Sequence, residues 1–382
     1  MNDINLMQER SERYNTALTL GKPDRVPHET RFGEYWALDY AGFDIKTDTA
    51  DAQKMGQAME KLAQDFATDT SPSLFTRNPL FYKILGSQGF IQSESGIMQH
   101  PEVSFMQADE YPRLIENPFS FIIETVLPRA YSALNGSPSE VMTAAVKAMN
   151  IKSDMSIPLM AETARVSSTY QLPLTGAGLV EAPLDYVADM IRGFSNISLD
   201  IRRQKSLVKD AAQAVLPLMV RFGSMLPPMK GKTVSMPLHM PVFMRNSDFE
   251  ELYWPTFKTL TETLTQKGYQ LKIFFEGDWT RFYDYLQELP KASIIGCFEY
   301  MDPVLCKEKL GKVMCISCGY DVSLLEYGTV KQAEDEAKRI IDALAPGGGH
   351  IFCVSKGITF ANDGKAENVK ALYNLVPEYG RY

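Results

Sequence analysis

Cysteine is scarce in this chain and poorly placed for a disulfide framework. There are five in 382 residues, at 297, 306, 315, 318 and 353, an odd number confined to the last quarter. That pattern predicts reduced thiols and a cytoplasmic setting. Positive charge is also in deficit, with 39 Lys and Arg against 47 Asp and Glu, a net charge of −8. Such a balance lacks the basic footprint of a nucleic-acid binder. No apolar run approaches the roughly 18 residues of a membrane span. The polar opening MNDINLMQERSERYN does not read as a signal peptide. Repeats, linkers and low-complexity tracts are missing too, so one domain is predicted. The 45% hydrophobic and 23% charged content fits an ordinary globular core.

What the chain does have is a run of strands that each end in a reactive side chain. Residues 233–239 (TVSMPLH), 271–276 (LKIFFE), 293–299 (SIIGCFE) and 313–318 (VMCISC) read as four successive β-strands. Side chains two apart share a strand face. Ser235, Pro237 and His239 therefore point one way, as do Lys272, Phe274 and Glu276. The same holds for Ile295, Cys297 and Glu299, and for Met314, Ile316 and Cys318, with Cys315 expected on the opposite face against helices. In a barrel of parallel strands, functional groups collect at the carboxyl ends. His239, Glu276, Cys297 and Cys318 are thus the candidate ligands or proton carriers, with Glu299 in reserve. An unpaired carboxylate at the end of an apolar strand is costly, so Glu276 needs a metal or a cation beside it.

Helices are expected between these strands. Ser247 to Glu250 reads as a capping box, Asp302-Pro303 as an N-cap with proline at the first helical position, and Thr329 to Gln332 as a second box. Asp278, Asp302 and Asp321 are read as caps. One more strand is expected at 350–355, and a final helix at 366–379. Upstream, helices are predicted over 4–20, 50–66, 118–134, 138–150, 183–192, 194–204 and 205–222, with strands at 28–32 and 172–181. Strand and helix alternate, which predicts an α/β fold, a (β/α)8 TIM barrel, with residues 1–160 adding helices and loops. Phe32, Tyr35, Trp36, Phe243, Met244 and Trp279 are the candidates for an apolar substrate pocket over the strand ends.

Gly21-Lys-Pro-Asp-Arg-Val-Pro27, Asp185-Tyr-Val-Ala-Asp-Met-Ile-Arg-Gly193 and Leu238-His239 give the chain a family likeness. The tail Gly347-Gly-Gly-His350, Gly357-Ile358 and Glu367-Asn-Val-Lys-Ala371 extends it. In these stretches the sequence resembles the uroporphyrinogen decarboxylase superfamily over nearly its full length. The resemblance implies a (β/α)8 barrel and either decarboxylase or cobalamin-dependent methyltransferase chemistry. The arginine-rich amino-terminal motif of true decarboxylases is replaced here by Arg31-Phe-Gly-Glu-Tyr-Trp36. One arginine beside a glutamate is a poor grip for a polycarboxylate tetrapyrrole.

The methyltransferase branch implies zinc, held in its thiol-methylating members by a His-x-Cys pair and a distant cysteine. His239 and Cys318 match two of those positions, while Pro241 stands at the third. Corrinoid-dependent demethylases of the branch use a Glu followed by a His 21 positions on, and Glu276 and Cys297 have that spacing. The resemblance therefore implies a zinc-dependent methyltransferase (O-demethylase methyltransferase I type). It would pass a methyl group from a methoxylated aromatic or similar molecule to the Co(I) corrinoid, a cobalamin, of a partner protein. The implied zinc ligands are His239, Glu276, Cys297 and Cys318, with His239 and Glu276 also catalytic. A methylcobalamin:thiol methyltransferase and a decarboxylase-like lyase are the alternatives. A homodimer is left open, and neither a nucleic-acid nor a membrane partner is expected.

Overall fold

The computed structural model describes residues 5–382. A small antiparallel hairpin, β1 (Ile91–Gln92) and β2 (Met98–Gln99), precedes the main sheet. That sheet runs β3 (Gly176–Leu179), β4 (Thr233–Leu238), β5 (Gln270–Asp278), β6 (Ile294–Tyr300), β7 (Cys315–Cys318) and β8 (His350–Ile351). All neighbours pair in parallel and in sequence order. Two extended segments from the first 80 residues close it. Phe352 N donates to Pro27 O at 2.8 Å and Glu29 N to Phe352 O at 3.0 Å, joining the first segment to the β8 side. Asp69 N then donates to His28 O (2.8 Å), and Ser71 N to Pro173 O (2.9 Å), just ahead of β3. Eight positions complete the ring of a (β/α)8 barrel.

The amino-terminal region thus supplies two wall positions as well as its helices and loops. Their neighbours are short and irregular because hydrogen bonds there come singly, as at the isolated pairings His28–Phe352 and Phe32–Ile358. An ion-pair knot fixes the first segment beneath the wall. Arg13 holds Asp24 and Asp69, and Arg25 holds Asp69 again, at 2.7 Å in each case. The glycines 347–349 serve the same end. A β-carbon on Gly348 would lie 2.2 Å from Gly21 O, and Gly349 N donates to that carbonyl at 3.0 Å. The two glycine-bearing stretches of the family likeness are therefore in contact.

Caps form where expected at Thr329, and Asp302 accepts from Leu305 N at 2.9 Å. Asp278 and Asp321 accept from Thr280 N and Ser323 N. Ser137 and Glu140 form a capping box, but the helix they open runs over Pro138–Tyr170, twenty residues past its expected end and through Pro158. The expected box at Ser247 does not form. The chain instead winds through Asn246–Asp248 and a wide turn at Phe249–Tyr253 before the regular helix Trp254–Gln266. Among the described residues, no helix is long and apolar enough to cross a membrane.

Candidate functional site

β4 ends at Leu238, and its next residue, His239, begins the turn Met240–Phe243. Asp185, wholly buried on the short helix Pro183–Tyr186 that follows β3, fixes that turn. Its carboxylate accepts from His239 N (3.2 Å), Met240 N (2.7 Å) and the Tyr253 hydroxyl (2.5 Å). Burial pushes the Asp185 carboxyl up, to about 6, despite the nearby His239 and the three donors. With its backbone held, the His239 ring meets Glu276 across the gap to β5, and Nδ1 lies 2.8 Å from Oε2.

Glu276 is placed by a defect in β5. Pairing with β6 slips between Phe275 and Asp278, and Gly277 takes φ +73°. A β-carbon there would stand 2.7 Å from Val242 Cγ1. Only a glycine fits this bulge, and its N–H donates to Glu299 Oε2 at 2.8 Å. Glu299 is also paired with Lys356 at 2.7 Å. Burial opposes the charged form of His239, but the bond to Glu276 and the fields of Asp185, Glu276 and Asp189 prevail. The imidazole is raised to about 9 and is positively charged at neutral pH.

These groups open into a cavity of about 800 Å³ at the carboxyl ends of the strands. Phe194, Phe243, Tyr300, Leu179 and Met190 form its apolar walls. Its polar lining adds Arg77, His100, Glu181 and Asp189, none of which the strand pattern singled out. Glu181 lies two residues past β3, and its Oε2 is buried without a hydrogen-bond partner. Burial, with Asp189 and Asp185 adding to it, lifts its carboxyl to about 8. The signal was available, because Glu181 ends an apolar run just as Glu276 does.

The expected ligand set divides into two. His239 and Glu276 share the mouth, whereas Cys297 and Cys318 lie in the interior with Cys315, Cys353 and Tyr14. Cys297 pairs in register with Phe274, two residues below Glu276. Among the described residues, no group of three or more His, Cys, Asp and Glu side chains is placed to hold a metal ion. The faces of β7 also differ from expectation. Cys315 pairs with Ile295 and Ser317 with Cys297, so those two point inward. Cys318 would then point out, but its φ of +69° breaks the alternation and returns its thiol to the interior. Arg31 Nη1 sits 3.3 Å from that sulfur. Burial pushes the Cys318 thiol up, yet bonds to Cys297 and Cys353 and the charges of Arg31 and Lys272 hold it well below the ordinary range. The half-buried Arg31 and the buried Lys272 already supply positive charge to this layer.

Of the six residues expected to form an apolar pocket, Phe243 lines the cavity and is 76% exposed. The others pack elsewhere because their elements turn those faces outward. Phe32 and Trp36 stack on each other, with Phe66 and Tyr373 beside them, and Tyr35 stacks on Phe360. Met244 is core, and Trp279 is closed in by Phe249, Phe275 and Phe282.

The closed parallel ring and a charged pair at its carboxyl end define a (β/α)8-barrel protein with acid–base groups at the mouth. More narrowly, the chain belongs to the uroporphyrinogen decarboxylase (URO-D) family, whose model matches residues 135–379. Among solved structures, a methyltransferase from Methanosarcina mazei shares the fold. It has a TM-score of 0.65 and 13% identity, over 97% of this chain and 98% of that one. No curated protein matches the sequence.

Proposed function

We propose that this protein is a methyltransferase that takes a methyl group from a small methylated substrate, a methoxylated aromatic or similar molecule. It would pass that group to the reduced corrinoid of a partner protein. The observation that carries the reading is the charge of the mouth cavity. Among its lining residues Arg77 is the one permanent cation, against the carboxyl groups of Glu181, Asp189, Glu276 and Glu299. A polycarboxylate tetrapyrrole would meet repulsion there. A small neutral substrate would meet apolar walls and one imidazolium. The name of the Methanosarcina fold relative agrees with methyl transfer.

The difficulty in cleaving a methyl ether is the negative charge that collects on the departing oxygen. His239, held positive by Glu276 and fixed in place through Asp185, stabilises that charge if the oxygen lies against it. The acceptor's electron pair forms the new bond to carbon, and the C–O pair stays on oxygen. Phe194, Phe243 and Tyr300 offer apolar surface for the carbon face of such a substrate.

Zinc, when bound, would act as a Lewis acid toward that oxygen. His239 and Glu276 fit as two ligands of suitable chemistry. Catalytic zinc commonly has three protein ligands, and Cys297 and Cys318 belong to a layer already neutralised by Arg31 and Lys272. Uptake at the pair would have to displace the proton on His239, so zinc binding should release protons below about pH 9.

Purified protein mixed with free cob(I)alamin and a panel of methoxylated aromatics and methylamines tests the proposal. Release of the demethylated product is expected, with loss in Glu276→Ala and His239→Ala. Metal analysis of the same samples reads the zinc expectation separately. Turnover unchanged in both variants, or no turnover with any donor, would sink the reading.

A further inference from the structure

We propose that Glu181 is a catalytic residue, the general acid that gives its proton to the oxygen leaving the methyl group. The proposal rests on the methyl-transfer reading and names the chemistry of its leaving group.

Glu181 follows β3, where Val180 N donates to Ser235 O at 2.9 Å and secures the strand end. From that point the side chain reaches the wall of the mouth cavity that also holds His239 and Glu276. Its Oε2 is buried and has no hydrogen-bond partner. The charged groups around it offer little support for an anion. Asp185 and Asp189 on the neighbouring helix repel it, and His239 alone attracts it. The phenols of Tyr186 and Tyr253 lie within its field as well. His239 is already bound to Glu276, and His100 faces Asp189 at 3.8 Å.

A buried carboxyl without a donor or a dedicated cation stays neutral, and a neutral carboxyl has a proton to give. Nothing in the protein is hydrogen-bonded to Oε2, and the residue lines the cavity through the rest of its side chain. A leaving alkoxide or phenolate supplies the missing acceptor. In the step, the methyl C–O bond breaks with its electron pair on oxygen. The acceptor's electron pair forms the new bond to the methyl carbon. The Glu181 O–H proton moves to the oxygen, leaving a carboxylate and a neutral alcohol or phenol. Bulk water reprotonates the carboxylate after product departs. His239 suits a different task, because its proton is held between itself and Glu276 and its charge acts without transfer.

The test compares full-length protein with Glu181→Gln, which keeps the shape and removes the acid. Free cob(I)alamin is the acceptor, and a methoxybenzene is compared with its nitro-substituted analogue. Nitrophenolate leaves without a proton, so the acid should matter for the first ether alone. Glu181→Gln is expected to slow the unactivated ether by on the order of 10²–10⁴-fold and the nitro ether little. Wild-type turnover of the unactivated ether should fall as pH climbs past about 8, a limb absent in the variant. The variant should keep only the later fall near pH 9 that loss of the His239 proton brings to both ethers. Equal slowing of both ethers, or the same limb in Glu181→Gln, would overturn the proposal.

Should Glu181→Gln not fold, Glu181→Asp retains a shorter acid and is expected to keep the limb at lower pH. An unmoved limb counts against the proposal. Infrared titration of the wild type adds a readout that needs no turnover. A protonated-carboxyl stretch at pH 7, lost in Glu181→Gln and shifted in frequency in Glu181→Asp, is expected, and its absence from the wild type overturns the assignment. Failure to cleave any ether while that stretch is present would remove the methyl-transfer reading and the acid's role with it.

Discussion

His239 carries its charge because of where the chain puts it, and that makes it a pH-dependent contributor to stability. Its ordinary value of 6.5 is raised to about 9 by the bond to Glu276 and the fields of Asp185 and Asp189, which overcome burial. A group raised on folding binds protons more tightly in the folded state. Its stabilisation is therefore complete below about pH 6.5 and is lost as pH rises through about 9. Glu276 is 48% exposed, so solvent screens much of the interaction. Urea titrations of wild type and His239→Gln at pH 6 and pH 9.5 should show a stability difference that shrinks at the higher pH. A constant difference would assign the effect to packing. Asp185 tests the backbone side of the site. Alanine there strands the His239 and Met240 amides and the Tyr253 hydroxyl, and should cost about 3 kcal/mol in chemical denaturation. Asparagine, which can still accept, should cost less than half of that.

At the scale of elements, strand ends were legible because apolar runs stop at polar residues, and β4, β5 and β6 lie where the pattern put them. Alternation failed at β7, since a single residue at positive φ reverses a face, and nothing in Ser-Cys-Gly demands that cysteine be the residue to do it. The long helix Pro138–Tyr170 outran its expected end at 150 and continues through Pro158, which does not stop it. Aromatic residues could not be assigned a side by type alone. Phe243 lies on an exposed turn, while Trp279 follows β5 and faces the outer helices. The β5 bulge makes a sharper prediction. Gly277→Ala places a methyl group against Val242 and forces a left-handed backbone on alanine. A loss of about 1–3 kcal/mol is expected. Because Glu276 and Glu299 are both set by this bulge, turnover in the proposed methyl transfer should fall with it. Val242→Ala on top of Gly277→Ala should return part of the stability by vacating the contact. If it returns none, the strain lies in the backbone dihedral rather than in the clash.

The barrel as a whole is tied across its diameter by ions that no local pattern announces. Lys272 of β5 reaches Glu29 of the first wall segment at 2.5 Å, 243 positions away in the chain, and both side chains are buried. Such a pair is not strongly stabilising in itself, because two charges have lost their water. Its force appears when one partner is removed. Lys272→Met leaves Glu29 facing the interior without its cation, and it also takes a positive charge away from the Cys297, Cys318 and Cys353 layer. A loss of about 3–5 kcal/mol is expected in urea denaturation at pH 7. Adding Glu29→Gln should recover most of it, as an amide can be buried at far lower cost. Recovery should be incomplete, since Cys318 keeps Arg31 but still lacks the Lys272 charge, and its thiol should rise toward the ordinary value. Thiol reactivity against pH in the double variant measures that rise. Full recovery of stability with an unchanged thiol profile would mean that the cysteine layer is electrically independent of the ion pair, and that Arg31 alone holds its charge.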